Sequence, residues 1–523
     1  MSDKRRYQPA IILSLLFAIV LGVLLRFTTL SGLVYWYDEV YTTLRSQGLT
    51  ETEFVRDIGQ NPTVTVQQLQ QYQHFDRNRN GWDVIHSLAT EDPQHPPLYY
   101  LLTHFWLRWF GSEIAVSRSL AAIFSVLAIP AMYWVAFELF TSSWVGLWAA
   151  AILAISPFHI LYAQEARQYS LWTVTILLSS GALLRALRQP KLKNWGLYAV
   201  TVALGLYTFL FSGLVCVSHG LYVLVTQKRK TWGAYLAAST LGVLLFSPWL
   251  WVIATSLAQV NQGTASQASA KLGLGVLSQK WAINVTRLFV DIQLGYGPDI
   301  ILNRKEILTY AIAPLLILVG LAFYFLIRHT SRSVWLFVVF LVLVTSLKLI
   351  LPDLILGGRR STVSRYLTPC YLGIELAVAF LFSRQQRGIW AIAIALVLGG
   401  GMMSNLVNLN ADTLWHKESG YYNPKVATVI NQAQNPYIIS DTEMGNILSL
   451  SYLLKPGVEF YYQPHRCHTC PMNLTLTPDF PVTFPPGQSV FVFRPSRQLR
   501  ETLETQGYSL NRASTPALYR LLP

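Results

Sequence analysis

Charge is what this sequence has least of. Only 13% of its 523 residues are Asp, Glu, Lys or Arg, against about 25% in an average soluble domain. With 52% hydrophobic residues and 16 tryptophans besides, the composition excludes an ordinary soluble globule and belongs to a chain solvated by lipid. Cysteine is scarce, with four residues. Cys216 and Cys370 fall in apolar segments and read as small core residues. Cys467 and Cys470 lie close together, with His465 and His468 beside them, but no second such pair completes the four-ligand set of structural zinc. A local disulfide of an oxidising compartment, a metal site and two ordinary thiols are the three readings. Acidic residues number 26 against 40 basic ones, a net charge of +14. No long basic arm or basic soluble domain accompanies that excess, which argues against nucleic acid; inward-facing loops of membrane proteins collect Lys and Arg. Internal repeats, expected of a transporter, are also lacking.

What is present is a series of apolar runs near the roughly 20 residues that cross a bilayer. Eleven spans are predicted, over 9–30, 117–139, 144–161, 168–187, 195–211, 212–227, 232–254, 307–327, 333–351, 366–383 and 389–407. The first follows Lys4-Arg5-Arg6 and exceeds a signal-peptide core, so it reads as a retained anchor with its N-terminus inside. From that start the clusters Arg185/Arg188/Lys191/Lys193, Lys228-Arg229-Lys230, Arg328/Arg332 and Arg384/Arg387 all fall on the cytoplasmic side. The aromatic stretch 97–110 is too short to span and would reverse that parity. It reads as a helix in the outer interface.

The expected architecture is an all-α polytopic membrane domain, 1–407, followed by a small extracytoplasmic α/β domain, 408–523. A large first outer loop, 31–116, carries interfacial helices, among them a short amphipathic one over 42–58, with a polar surface loop or lid over 59–80. Another amphipathic helix is expected around 281–292. In the C-terminal part, strands are expected over 437–440, 458–462 and 489–493, and helices over 425–433 and 497–506.

Four stretches could carry chemistry. Tyr35-Trp36-Tyr37-Asp38-Glu39-Val40-Tyr41-Thr42 sets two adjacent carboxylates between aromatics near hydrocarbon, where charge is costly without a use. Asp38 is the candidate general base, with Glu39 beside it; as solvated loop acids they would do nothing. His95-Pro96-Pro97-Leu98-Tyr99-Tyr100 opens the interfacial helix, and its bland reading is a helix-start signal. Its His95 and Tyr99 are candidate substrate contacts. Glu165-Ala166-Arg167-Gln168-Tyr169 gathers a carboxylate, a guanidinium and a phenol, with Glu165 and Tyr169 placed to share a helical face; a local ion pair capping a span would look the same. Arg365-Tyr366, backed by Arg359 and Arg360, sits at the mouth of a late span. Arginine there suits bidentate phosphate recognition, or simply lipid headgroups. Arg118 has a similar but weaker placement.

Taken in this order, together with Ser156-Pro157-Phe158 and Arg365-Tyr366-Leu367-Thr368-Pro369, these stretches resemble the GT-C superfamily of membrane glycosyltransferases. The likeness covers about 1–405 and is nearest to the branch of dolichyl-phosphate-mannose–protein mannosyltransferases and aminoarabinose transferases. It implies inverting transfer of a sugar from a polyprenyl-phosphate donor to a lipid, glycan or protein acceptor outside the cytoplasm, in a bacterial inner membrane. Asp38 would activate the acceptor. Glu39 would orient it, and Arg365 would face the donor phosphate. No cofactor is required; Glu39 and Glu165 are the candidate ligands should a divalent ion take part. A flippase for lipid-linked sugar and an inactive lipid-binding relative are the rival readings.

Overall fold

The computed structural model describes residues 9–261, 271–292, 307–470 and 487–522, together with 476 and 480. Lys4-Arg5-Arg6 and parts of the Ser/Gln/Gly-rich third outer loop, 262–270 and 293–306, lie outside the described residues. Each of the eleven predicted spans coincides with helix: Pro9–Leu25, Ile114–Phe140, Ser143–Ile155 with Pro157–Ala163, Tyr169–Arg188, Leu192–Thr208, Ser212–Thr226, Arg229–Thr255, Ile307–His329, Arg332–Ile355, Thr368–Arg384 and Ile389–Asn408. Seven are long and apolar enough to cross a membrane, or eight with the bent pair. The others have 17, 17 and 15 residues among those described. This is an integral membrane protein, mostly helical, with a small sheet near its C-terminus.

Burial sorts the helices. Tyr169–Arg188 and Ser364–Arg384 have 83% and 89% of their apolar windows inside the protein, whereas Arg229–Thr255 and Ile389–Asn408 have 22%. The first two form the centre of the bundle. The last two present Leu, Ile and Val outward, as helices facing lipid do.

One predicted span is broken. Ser143–Ile155 and Pro157–Ala163 meet at 58°, because Pro157 has no N–H to continue the ladder and is suited to open a new helix. Freed carbonyls at the break need donors, and the buried Arg26 guanidinium supplies them, bonding Leu153 O, Ala154 O, Gly22 O and Ser125 Oγ. Gly22 lets the first helix press against the Ala154 backbone, which a Cβ there would overlap.

The first outer loop is more ordered than its sequence suggests. In place of one helix over 42–58 there are two, Tyr37–Ser46 and Glu51–Gln60. Gly48, at φ +79° and against Asp83, makes the left-handed turn between them, and Thr50 with Glu53 forms a capping box for the second. The amphipathic helix expected around 281–292 runs earlier, Leu274–Thr286.

Six strands form one sheet in the order β1-β3-β2-β4-β6-β5: β1 Thr63–Thr65, β2 Pro436–Ser440, β3 Glu459–Tyr462, β4 Ser489–Phe493, β5 Ser509–Arg512 and β6 Leu518–Leu522. The central β3-β2-β4 trio is parallel, and the outer pairings are antiparallel. β1 comes from the stretch read as a polar lid, and its three residues are too few to show an alternating pattern. It caps the β3 edge, so the first outer loop and the C-terminal segment share one sheet. Between them, the Tyr37–Ser46 helix packs on Met444–Ser451. There Gly445 leaves room for the Tyr37 ring, which would lie 2.6 Å from an added Cβ, and Tyr37 Oη donates to Glu443 at 2.8 Å.

Candidate active site

The Tyr37–Ser46 helix is the floor of the site. Its first turn holds Asp38 and Glu39, where carboxylates are favoured by the helix dipole. Adjacent residues point about 100° apart on a helix, and here the two acids have different surroundings.

Glu39 faces inward and is fully buried. Arg118 grips it with two bonds of 2.7 Å, Lys417 Nζ lies at 3.2 Å, and the backbone N–H of Ala166 donates at 2.8 Å. Burial alone would push its carboxyl up; Arg118 and Lys417 more than offset that and hold it at about 2. The guanidinium of Arg118 also donates to the carbonyls of Leu30, Leu33 and Val34, tying the end of the first span to the helix. The Glu39 carboxylate thus accepts from Arg118, Lys417 and the Ala166 backbone. An ion there would meet two fixed cations.

Asp38 keeps an open face. Its side chain is 20% exposed and lies 3.3 Å from Arg365 Nη2, itself 18% exposed. Burial raises the carboxyl, but Arg365, Arg167 and His95 pull it below its ordinary 3.8. Arg167 donates to Asp38 O at 3.2 Å, Thr42 Oγ1 at 2.9 Å and Tyr100 Oη at 3.5 Å. Its Nη2 lies 3.4 Å from His95 Nε2. His95 Nδ1 is 2.8 Å from Asp92. The Tyr169 ring lies between the guanidiniums of Arg167 and Arg365, 5.8 and 5.6 Å from its centre. Nε of each arginine is buried without a hydrogen-bond partner among the described residues. Two such donors beside one carboxylate fit an added anion.

The Gln164–Tyr169 segment shows how so many contacts converge. It forms the turn between Pro157–Ala163 and Tyr169–Arg188, so successive side chains reach different elements. Gln164 caps the first span through Leu25 O and Thr28 O. Glu165 accepts from His416 Nε2 at 2.9 Å and is fully buried. Because helix starts only at Tyr169, Glu165 and Tyr169 do not share a helical face, and Glu165 does not line the open site. Tyr99 is buried beneath the site with its hydroxyl unpartnered among the described residues; its neighbour Tyr100 makes the arginine contact instead. Tyr366 turns toward Phe209 and Phe211, ring centres 6.0 and 5.0 Å away, on the apolar flank. Arg360 pairs with Asp353 at 3.0 Å and does not reinforce Arg365.

Sequence reasoning missed Lys417, His416, Tyr100 and Thr42, and underrated Arg118. The two C-terminal residues had no local signal, since each meets its partner across more than two hundred residues. Among the described residues the one cluster of potential metal ligands is Glu51, Cys467 and Cys470. Its two sulfurs are joined as a disulfide, which removes the thiolates that zinc would bind.

Residues 94–252 match the family described as dolichyl-phosphate-mannose-protein mannosyltransferase. No curated protein matches the sequence. Among solved structures, ArnT from Cupriavidus metallidurans bound to undecaprenyl phosphate superposes with a TM-score of 0.57 at 12% identity, covering 98% of this chain and 97% of that one. The Archaeoglobus fulgidus oligosaccharyltransferase in the apo form gives 0.49 at 11% identity over 89% and 66% of the two chains. Apo ArnT from Cupriavidus metallidurans gives 0.47 at 15% over 98% and 97%. These last two superpose too loosely to add to the argument. The family match lies within the helical domain, and the ArnT likeness runs the length of both chains: this chain is similar to the GT-C membrane glycosyltransferases and has their fold.

Proposed function

We propose that this protein transfers a sugar from a polyprenyl-phosphate donor to an acceptor on the extracytoplasmic face, with inversion and with Asp38 as general base. The observation that carries the reading is one partly exposed carboxylate beside two arginines whose Nε donors have no partner among the described residues. The fold's likeness to an ArnT bound to undecaprenyl phosphate supports the same class of donor.

The donor phosphate lies against Arg365 and Arg167, with its isoprenoid tail along the apolar flank near Phe209, Phe211 and Tyr366. Asp38 accepts the proton of the acceptor's hydroxyl or amine. The freed electron pair attacks the anomeric carbon opposite the phosphate, and the bond from that carbon to the phosphate oxygen breaks. Both electrons leave with the polyprenyl phosphate. That anion needs fixed positive charge more than a proton, and a poorly hydrated site supplies it well.

Arg365 also times the base. While it pairs with Asp38, the carboxylate is a weak base. A phosphate engaging the same guanidinium draws charge away from Asp38 and raises its affinity for a proton. Base strength therefore follows donor binding. Glu39, Arg118 and Lys417 fix the helix that presents Asp38, and Glu165 with His416 fixes the turn that presents Arg167.

Orientation is supported by two features. The Arg185/Arg188 and Arg384/Arg387 clusters lie at or just beyond the ends of their helices remote from Tyr169 and Arg365, about 30 Å away for a 20-residue helix. Such clusters favour the cytoplasm. The Cys467–Cys470 disulfide lies on the Asp38 side, as an oxidising compartment would have it.

The test is transfer by purified protein from undecaprenyl-phosphate sugars to glycolipid, glycan and peptide acceptors. Asp38→Asn should lower the rate about 10²- to 10⁴-fold, the usual worth of a general base, in protein that still folds and still binds undecaprenyl phosphate. Full activity in that variant would remove Asp38 from the chemistry.

A further inference from the structure

The turn Cys467-His468-Thr469-Cys470 comes from the α/β domain and plays no part in the reaction as described. It is held with unusual firmness. The disulfide closes its ends. Buried Glu51 accepts the backbone N–H groups of His468 and Thr469, at 3.1 and 2.8 Å, and the Thr469 hydroxyl at 2.7 Å. Arg45, paired with Glu91 at 2.8 Å, donates to the same hydroxyl at 2.6 Å. All three charged groups belong to the first outer loop, so the turn is locked onto the segment that carries Asp38.

The side chain this lock presents is His468. Its ring packs edge-on against Tyr37 and Tyr41, with centres 6.4 and 6.0 Å away. Tyr37 and Tyr41 are four apart and share one face of the Tyr37–Ser46 helix. Asp38 and Thr42, which meet the arginines, occupy the next face, about 100° round. The imidazole is partly exposed, its nitrogens make no hydrogen bond among the described residues, and its charge when protonated acts on the Asp38 carboxylate. The donor phosphate takes the arginine face. On the other side Tyr41 is buried and the Tyr37 ring packs at Gly445, which leaves His468 as the partly exposed polar group there for a second substrate reaching Asp38.

Building on the transferase reading above, we propose that His468 is an acceptor-binding residue: its imidazole hydrogen-bonds the hydroxyl- or amine-bearing acceptor beside Asp38, and the Cys467–Cys470 disulfide is the clamp that holds it there.

Three variants test this, with the acceptor that the transfer assay returns and with undecaprenyl phosphate as the donor-side probe. His468→Phe keeps the ring packing and loses the nitrogens; it should raise the acceptor KM about three- to tenfold, the worth of one hydrogen bond. His468→Gln should restore part of that loss. C467S/C470S should raise the acceptor KM in the same direction. In all three, binding of undecaprenyl phosphate should match the unaltered protein. An unchanged acceptor KM in His468→Phe, or an equal loss of undecaprenyl phosphate binding, would overturn the assignment while leaving the transferase reading in place. If the unaltered protein transfers nothing, and Arg365→Ala does not weaken undecaprenyl phosphate binding, the transferase reading fails and His468 falls with it.

Discussion

At the scale of the residue, two neighbouring carboxylates divide the labour. Glu39 is buried against Arg118 and Lys417, while Asp38 retains an open face and a partner it can lose. This makes a kinetic prediction. The free protein holds Asp38 below the ordinary carboxylate range, so Asp38 is ionised there at neutral pH and remains so on mild acidification. On the proposed mechanism, a bound donor shares Arg365 and the carboxyl rises. The acidic limb of kcat, which reports the loaded enzyme, should lie at higher pH than that of kcat/KM for the donor, which reports the free enzyme. Coincident limbs would show that Arg365 does not couple the two. Adjacent acids could be read from the sequence as a functional pair, but their division could not. It depends on Arg118 arriving from the next span and on Lys417 from the far end of the chain. Likewise His95, Arg167 and Arg365 were legible as polar groups near one membrane surface, whereas the choice of Tyr100 over Tyr99 is a matter of helical phase.

Among elements, the broken helix at Ser156 deserves the closest reading. The motif Ser156-Pro157-Phe158 marked the place, yet a continuous span was expected because the apolar run does not pause. Proline explains the break; Arg26 explains why it survives in a low-dielectric interior. Arg26→Ala would strand several buried carbonyls at about 1–3 kcal/mol each. It should lower the thermal midpoint of the purified protein markedly and misplace the turn carrying Arg167. Unchanged melting would mean that other donors satisfy the break. Short elements were the least legible. β1 is three residues long, and the Met444–Ser451 helix lies in a stretch without clear helical periodicity, so only their partners define them.

For the whole molecule, the two expected domains are stitched together more thoroughly than a boundary near residue 408 implies. β1 completes a sheet made otherwise of C-terminal strands. Lys417 neutralises Glu39, and His416 holds Glu165. A chain ending at Asn408 should therefore insert its helices but lose transfer activity, and limited proteolysis should cut its 31–116 loop faster than in the full protein. A truncated form with normal transfer would contradict the placement of Lys417 and His416. The long helices were readable because lipid demands a simple and repeated composition. The α/β portion was readable only in its apolar strands, since its remaining order comes from docking onto the first outer loop.

The Glu39–Lys417 pair joins positions 378 residues apart. The ribosome makes one long before the other. Until Lys417 has been made, Arg118 is the one cation paired with Glu39, and the floor on which Asp38 stands lacks the second of its two cationic anchors. The seat of Asp38 is therefore completed only when the C-terminal segment folds back onto the first outer loop.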